Sequence, residues 1–317
     1  MQISNFLKDW TLIIAILAGV AGYFVFTALP LPLSAHAAAN RAVAVIQPML
    51  IFAMLFLTFC KIDPRHLRLR RWHLWLLLIQ CGLFAIIGSV LIVLPHSALR
   101  VVLEGAMLCL ICPTATAGAV ITKKLGGDVG NITTYTILIN LANAMLIPAM
   151  VPFVHPNPEL SLVSSALLIL GKVFPLLLMP LAGAMALRTL WPALCRRLAQ
   201  YQELSFYLWA VALALAIAVT TRSIVHCNVS VSTQLWLVAV SLACCLLQFG
   251  IGRRIGAVYH DKITAGQALG QKNTVLAIWM GYTFFSPITS IAGGFYSIWH
   301  NIINSYQLYE HKKHSRH

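Results

Sequence analysis

The chain has 317 residues, of which 60% are apolar and only 9% are charged, whereas soluble domains contain about 25% charged residues. Its formal charge of +14 comes from short basic stretches between apolar runs, which is typical of membrane topology signals rather than of a nucleic-acid-binding surface. This composition excludes a soluble globular enzyme and predicts an integral protein of the lipid bilayer.

Apolar runs long enough for a membrane helix recur along the whole chain, which we interpret as one domain, 1–317. We predict ten transmembrane helices, in chain order at 10–29, 43–60, 73–94, 99–122, 132–153, 162–187, 204–221, 231–252, 264–284 and 287–308. The first run imitates a signal peptide that ends at Ser34-Ala35-His36-Ala37, but its length before Pro30 favours an uncleaved helix. Ten helices form two halves of five, and a duplicated half with an odd number of helices must be inverted in the membrane. The predicted repeats are residues 10–153 and 162–308.

Lysine and arginine residues are strongly biased toward alternate loops. One side of the predicted topology carries 17 of them, including those near Arg68 and Lys124, and the other side carries three, while Lys172 and Lys272 lie inside spans. The positive-inside rule therefore places both termini in the cytoplasm. Short loops fit a bacterial inner membrane, and the sequence leaves the oligomeric state open.

The fourth span is interrupted near its middle by Ile111-Cys112-Pro113-Thr114-Ala115-Thr116-Ala117-Gly118-Ala119. Proline removes a backbone donor and clashes with the preceding turn, so carbonyl groups are freed inside the bilayer. The segment is either a kink packed by small residues or an unwound stretch with exposed polar groups.

The ninth span contains glycines, amides and a lysine between Thr264 and Ala277, where apolar residues are expected. An ammonium at the bilayer centre costs several kcal/mol, so Lys272 must meet water, an anion or a polar partner. Lys262 lies ten residues away, or about 15 Å along a helix, which puts the membrane surface beyond easy reach of Lys272. We therefore favour a functional role for Lys272. Lys172 either faces a cavity or reaches toward the membrane edge, and His300 alone is weak evidence for proton handling.

These segments resemble the signatures of the bile acid:sodium symporter family. The resemblance rests on Cys112-Pro113-x-x-Thr116-Ala117, on Gly270-x-x-Asn273-x-x-Leu276-Ala277, on Phe285-x-Pro287 and on Trp299-His300-Asn301. It implies an all-α fold in which spans 4 and 9 unwind and cross in a core domain beside a panel domain. It also implies secondary transport of organic anions such as bile acids or small carboxylates, usually coupled to sodium.

The sequence departs from the family at the sodium ligands. Gly118 and Ala119 stand where the family has serine and asparagine, and Ala268 and Lys272 stand where it has glutamate and glutamine. Gln267 could compensate only through a register slip. A cation beside Lys272 would be repelled by about 4 kcal/mol at 4 Å and an effective dielectric of 20. We therefore predict no metal site or cofactor, with sodium disfavoured and the coupling ion left open.

The sequence thus predicts a secondary or facilitative transporter that moves a small or amphipathic organic anion by alternating access. We expect Lys272 to be the counter-charge, with Thr114, Thr116, Gln271 and Asn273 near the substrate. Supporting residues for the crossover are Gln80, Thr136, Gln267, Pro113 and Gly270. The alternative is a non-transporting membrane sensor or assembly protein on the same scaffold. An enzyme is disfavoured because no nucleophile elbow, metal cluster or buried carboxylate pair is present in the sequence.

Overall fold

The computed structural model describes residues 2–201, 204–227 and 229–314, without the side chains of residues 2–9, 33 and 66. Throughout these ranges the ordered elements are helices, joined by short links and by one isolated β-bridge. In chain order the α-helices are α1 Gln2–Ala28, α2 Leu33–Cys60, α3 Arg71–Val93, α4 Arg100–Ile111, α5 Gly118–Lys124, α6 Val129–Val154, α7 Leu162–Leu177, α8 Met179–Leu190, α9 Pro192–Gln200, α10 Leu204–His226, α11 Val231–Val258, α12 Lys262–Gly270, α13 Thr274–Phe284 and α14 Ser290–His314. Short 3-10 turns lie at Pro64–His66 and Pro287–Thr289.

Six helices of the described chain are long and apolar enough to cross a membrane: α1, α2, α3, α6, α10 and α11. A seventh crossing arises if α7 and α8, which are bent by 40° relative to each other, are counted as one span. The predicted all-helical, multi-pass membrane class is therefore confirmed.

The remaining three predicted spans are not continuous apolar helices. Span 99–122 consists of α4 and α5 with a break between them, and span 264–284 consists of α12 and α13 with a second break. Span 287–308 corresponds to α14, which carries Trp299-His300-Asn301 and a basic end. The count of ten and the inverted repeat therefore stay predictions, because length and composition identify six or seven crossings.

Local sequence chemistry explains where several helices begin and end. Asp128, Ser161, Ser230 and Asn273 each precede a helix, and the side chain of each accepts a hydrogen bond from the backbone N–H three residues later. The α4 helix ends before Pro113, which cannot supply an N–H to continue it.

The two broken helices lie inside a shell of other helices. The helices that contact α4, α5, α12 and α13 are α3, α6, α11 and α14, and α13 also contacts α2 and α10. On another side of the molecule, α1 packs on α10, while α2 packs on α8 and α10. The Tyr23 hydroxyl lies 2.9 Å from Nε2 of His226, which links α1 to the end of α10. The breaks are therefore shielded by protein on several sides.

Candidate functional site

The breaks in the two interrupted helices pair with each other through their backbones. Two backbone hydrogen bonds join them, from Ala115 N–H to the Gln271 carbonyl and from Asn273 N–H to the Pro113 carbonyl, both at 2.9 Å, and together they form an antiparallel bridge that pairs Thr114 with Lys272. The unwound segments that the sequence suggested in spans 4 and 9 thus meet, and we call residues 112–117 and 271–273 together the crossover.

Side chains from neighbouring helices bind the carbonyl groups that the first break releases. Gln80 Nε2 donates to the carbonyl oxygens of Ile111 and Cys112 at 3.3 and 3.0 Å. Asn143 Nδ2 donates to the Ile111 oxygen as well, at 2.6 Å. The Tyr135 hydroxyl in turn donates to Gln80 Oε1 at 2.7 Å and fixes that amide. The missing helical hydrogen bonds are thus replaced by donors from α3 and α6.

Carbonyl groups at the second break are bound in the same way. The three donor–acceptor pairs are Thr114 Oγ1 to Ala268 O at 2.7 Å, the Tyr296 hydroxyl to Gly270 O at 2.8 Å, and Cys112 Sγ to Asn273 O at 2.8 Å. All of these donors are neutral. Each of these oxygens therefore already uses one acceptor position for a neutral protein donor, which weakens it as a ligand of a cation.

Lys272 is the only residue of the crossover with a formal charge, and its side chain is almost completely buried, with 1% of its surface exposed. Its Nζ has no hydrogen-bond partner in the described part of the chain. The thiols of Cys81, Cys109, Cys112 and Cys244 lie within electrostatic range of the ammonium. This environment is apolar and leaves the ammonium without a counter-charge, which is costly in a low dielectric.

A small cavity of about 30 Å³ lies beside the crossover. Its lining combines four of the predicted site residues, Thr116, Gln271, Lys272 and Asn273, with seven others: Met54, Ala115, Ala117, Trp209, Thr274, His300 and Asn301. That volume holds one or two water molecules, whereas pockets for drug-sized ligands measure about 300–1,000 Å³. The structure therefore represents a conformation that is closed to an organic anion.

Other predicted residues take structural positions around this cavity. Gln80 and Thr114 hold carbonyl groups of the breaks, as described above. Gly270 packs against Phe249 so closely that a Cβ atom would lie 2.3 Å from the ring. Pro113 ends α4 and accepts a hydrogen bond across the crossover. These four residues shape the crossover rather than line its cavity.

Two predicted support residues lie away from the crossover contacts. Thr136 donates to the Ile132 carbonyl of its own helix at 2.9 Å. Gln267 Nε2 donates to side-chain oxygens of Asn304 and Gln307 on α14, at 3.1 and 3.0 Å. Neither residue lines the cavity.

Comparison with known protein families matches residues 15–302 to the SBF-like CPA transporter family. The chain belongs to this family. The resemblance to bile acid:sodium symporters inferred from the sequence is thereby confirmed at the family level. None of the curated proteins compared with the chain matches it. The family is one of transporters, so this SBF-like chain is a multi-pass membrane protein of a transporter family.

Two of the positions where the SBF-like chain departs from the symporter signature, Gly118 and Ala268, are buried. Ala268 is fully buried. A Cβ atom on Gly118 would lie 3.2 Å from Ile132 Cδ1 and 3.3 Å from Thr114 Cγ2. A serine hydroxyl would therefore need its neighbours to move. No cluster of three or more His, Cys, Asp or Glu side chains suited to a metal occurs among the described residues.

Sequence reasoning missed several residues of this SBF-like site. Met54 of α2 and Trp209 of α10 face the cavity, although each looks like an ordinary lipid-facing residue in the sequence. Asn143 and Tyr296 bind freed carbonyl groups. A polar residue inside an otherwise apolar span, as at Asn143, was the available signal.

A second buried polar cluster surrounds Glu104, of which only 1% is exposed. Arg100 Nε lies 3.0 Å from Glu104 Oε1, and the Ser286 hydroxyl donates to Oε2 at 3.1 Å. His155 Nε2 lies 2.9 Å from Oε1 but is not aligned for a hydrogen bond. The cluster joins the start of α4 to the end of α6 and to the link after α13. Lys172, by contrast, is exposed on α7.

Proposed function

We propose that this SBF-like protein is a secondary or facilitative transporter of a small or amphipathic organic anion, working by alternating access. The main support is Lys272, whose buried ammonium has no hydrogen-bond partner among the described residues. It lies at the crossover of two broken helices, beside a cavity. In this proposal the chain crosses an inner membrane ten times, as two inverted repeats with both termini cytoplasmic. The basic bias of its loops supports that orientation.

Charge at the cavity favours an anionic substrate. Lys272 is among the lining residues, and α13 begins at Thr274, so the positive end of its helix dipole lies beside the same cavity. No Asp or Glu is among the cavity-lining residues. A carboxylate or sulfonate near Lys272 would offset the cost of burying the ammonium. Gln271, Asn273, Thr116 and His300 would then orient the anion by hydrogen bonds.

The bonding of the crossover supports weak or absent sodium coupling. Sodium exchanges its hydration shell for several oxygens at once, but the carbonyl oxygens of Ala268, Gly270 and Asn273 already accept hydrogen bonds. The Lys272 ammonium adds repulsion of any cation nearby. In this proposal the Lys272 ammonium therefore takes the place of a bound sodium ion at the crossover.

The position of the cavity suggests how access could alternate. Met54 and Trp209 belong to α2 and α10, whereas the other lining residues form a second group that belongs to the crossover, to the start of α13 and to α14. Separation of these two groups would enlarge the cavity to the size of a substrate. In the proposed cycle the crossover with its surrounding helices moves as one body against α2 and α10.

Ligand stabilisation of purified protein provides the test. We would measure melting temperature with bile acids, keto acids and alkyl sulfonates in potassium buffer, comparing the wild type with Lys272→Met. Lys172→Met is the matched control, because it removes an exposed lysine from another apolar run. A ligand at a hundredfold excess over Kd stabilises by about 2.7 kcal/mol. We expect an anion to stabilise the wild type and the control but not Lys272→Met, and equal stabilisation of all three would overturn the role of Lys272.

Flux through liposomes then separates a transporter from the alternative of a sensor or assembly protein. Protein reconstituted with the stabilising anion inside should exchange it for labelled anion outside. Binding without any exchange would support the non-transporting alternative and contradict the proposal.

A further inference from the structure

The α9 helix is short and lies at the ends of two membrane-length elements. Its nine residues span about 13 Å, too little to cross a bilayer. Cys195 of α9 is buried, and its Sγ lies 3.7 Å from the carbonyl oxygen of Cys60, the last residue of α2. Arg188 near the end of α8 donates to the same oxygen at 3.0 Å. The helix is thus held where α2 and α8 end, which is where we expect a membrane surface.

Its exposed side chains are segregated by character. At 100° per residue, Leu194 and the half-buried Leu198 project from one side of the helix, and together with Trp191, which precedes the helix, we call them the apolar flank. The flank continues into its neighbours, and the exposed fractions are 71% for Leu190, 67% for Trp191, 46% for Leu194 and 61% for Tyr201. Arg196 and Gln200 project from the opposite side, and Arg197 lies between the two.

The basic residues of α9 have no acidic partner among the residues that the structure describes. Arg196 and Arg197 are exposed, and neither forms a salt bridge within the described part of the chain. No acidic residue occurs in Pro192–Gln200. A short helix with an aromatic and aliphatic flank beside unpaired arginines has the features of an interfacial helix that binds anionic lipid.

We propose that α9 is a binding site for an anionic phospholipid. The apolar flank enters the boundary between headgroups and acyl chains, and Arg196 and Arg197 bind the headgroup phosphate. This surface is separate from the cavity at Lys272, so the proposal does not depend on the substrate. Because α9 packs on α2, which carries Met54, bound lipid stabilises one wall of that cavity.

Lipid titration of the full-length protein in non-ionic detergent tests this site. We expect phosphatidylglycerol to raise the melting temperature of the wild type, and phosphatidylcholine to raise it much less. In the double variant Arg196→Gln/Arg197→Gln, most of this difference between the effects of the two lipids on melting temperature should disappear. Lys312→Gln/Lys313→Gln is the matched control, because it removes the same charge from the exposed end of α14 and should respond like the wild type. High salt should reduce the effect through screening.

Two further measurements separate the possible causes. Inorganic phosphate and glycerol phosphate, at the same concentration as the lipid, should not reproduce the stabilisation, and equal stabilisation would indicate a free-phosphate site and overturn the lipid assignment. Phosphatidylglycerol brominated near its headgroup should quench the tryptophan fluorescence of the wild type more than that of Trp191→Phe. Equal quenching of the two proteins would also overturn the proposal, and so would an equal rise in the melting temperatures of the two double variants with phosphatidylglycerol. The quenching measurement does not require the arginine variant to fold.

Discussion

Gly270 and Phe249 are in such close contact that the glycine hydrogen occupies the only space available beside the ring. A Cβ atom at position 270 would lie 2.3–2.5 Å from three ring carbons of Phe249. Because Gly270 ends α12 immediately before the crossover, this contact sets how near α11 comes to the second break.

We predict that Gly270→Ala destabilises the protein by about 1–3 kcal/mol, since overpacking forces the ring or the backbone to shift. Thermal unfolding measures the change. Gly250→Ala is the control on the helix of Phe249, because a Cβ there meets nothing within 4 Å. The double variant Gly270→Ala/Phe249→Leu should recover part of the loss. Similar melting temperatures for the two alanine variants would show that the contact is not tight in solution.

Gln80→Leu should destabilise the protein by about 1–3 kcal/mol, because the carbonyl groups of Ile111 and Cys112 lose a buried donor. The control Gln234→Leu removes a half-buried amide that bonds near its own helix start, and it should cost less. Comparison of the two melting temperatures checks the prediction. A smaller cost at Gln80 than at Gln234 would contradict the bracing role.

Lys272→Gln restores the residue type of the sodium symporters at this position, yet we expect it to gain no strong sodium dependence. The oxygens missing at Gly118, Ala119 and Ala268 are still absent in that variant. The measurement is melting temperature, and anion exchange where flux is found, in sodium and potassium at equal ionic strength. A steep sigmoidal response to sodium in the wild type would refute the argument from the crossover hydrogen bonds.

Arg100→Gln should destabilise the protein, because it leaves the buried Glu104 carboxylate with less compensation. Arg100 is partly exposed, so solvent screening keeps the expected cost to about 1–2 kcal/mol. The double variant Arg100→Gln/Glu104→Gln should lose less stability than the two single variants lose in sum, since both changes remove the same interaction. Strictly additive losses would mean that the two charges do not stabilise each other.

Labelling of Lys312→Cys tests the proposed orientation. The proposed topology puts 17 basic residues of loops and termini on the side of the C-terminus, so a membrane-impermeant thiol reagent should reach position 312 only after the cells are opened. The wild type supplies the background from its native cysteines. Labelling in intact cells would exclude the ten-span topology.

Much of the fold followed from hydropathy and helix chemistry. Pro113 predicted the break in span 4, and the polar run around Lys272 predicted the irregular part of span 9. Gln80 was expected at the crossover, but the donors Asn143 and Tyr296 could not be derived, because they approach the freed carbonyl groups from helices distant in sequence. Met54 and Trp209 were equally inaccessible to sequence reasoning, since an apolar side chain that faces a cavity looks the same as one that faces lipid.

The burial of Cys109 and Cys112 gives the protein a native reporter of its own opening. Both thiols are at most 1% exposed, and Cys112 Sγ is bonded to the Asn273 carbonyl across the crossover. Alkylation of Cys112 therefore requires the two breaks to separate, so the rate of alkylation depends on how often they do. Followed by mass spectrometry of the unmodified sequence, that rate would report how often the closed cavity opens, and whether an anion holds it shut.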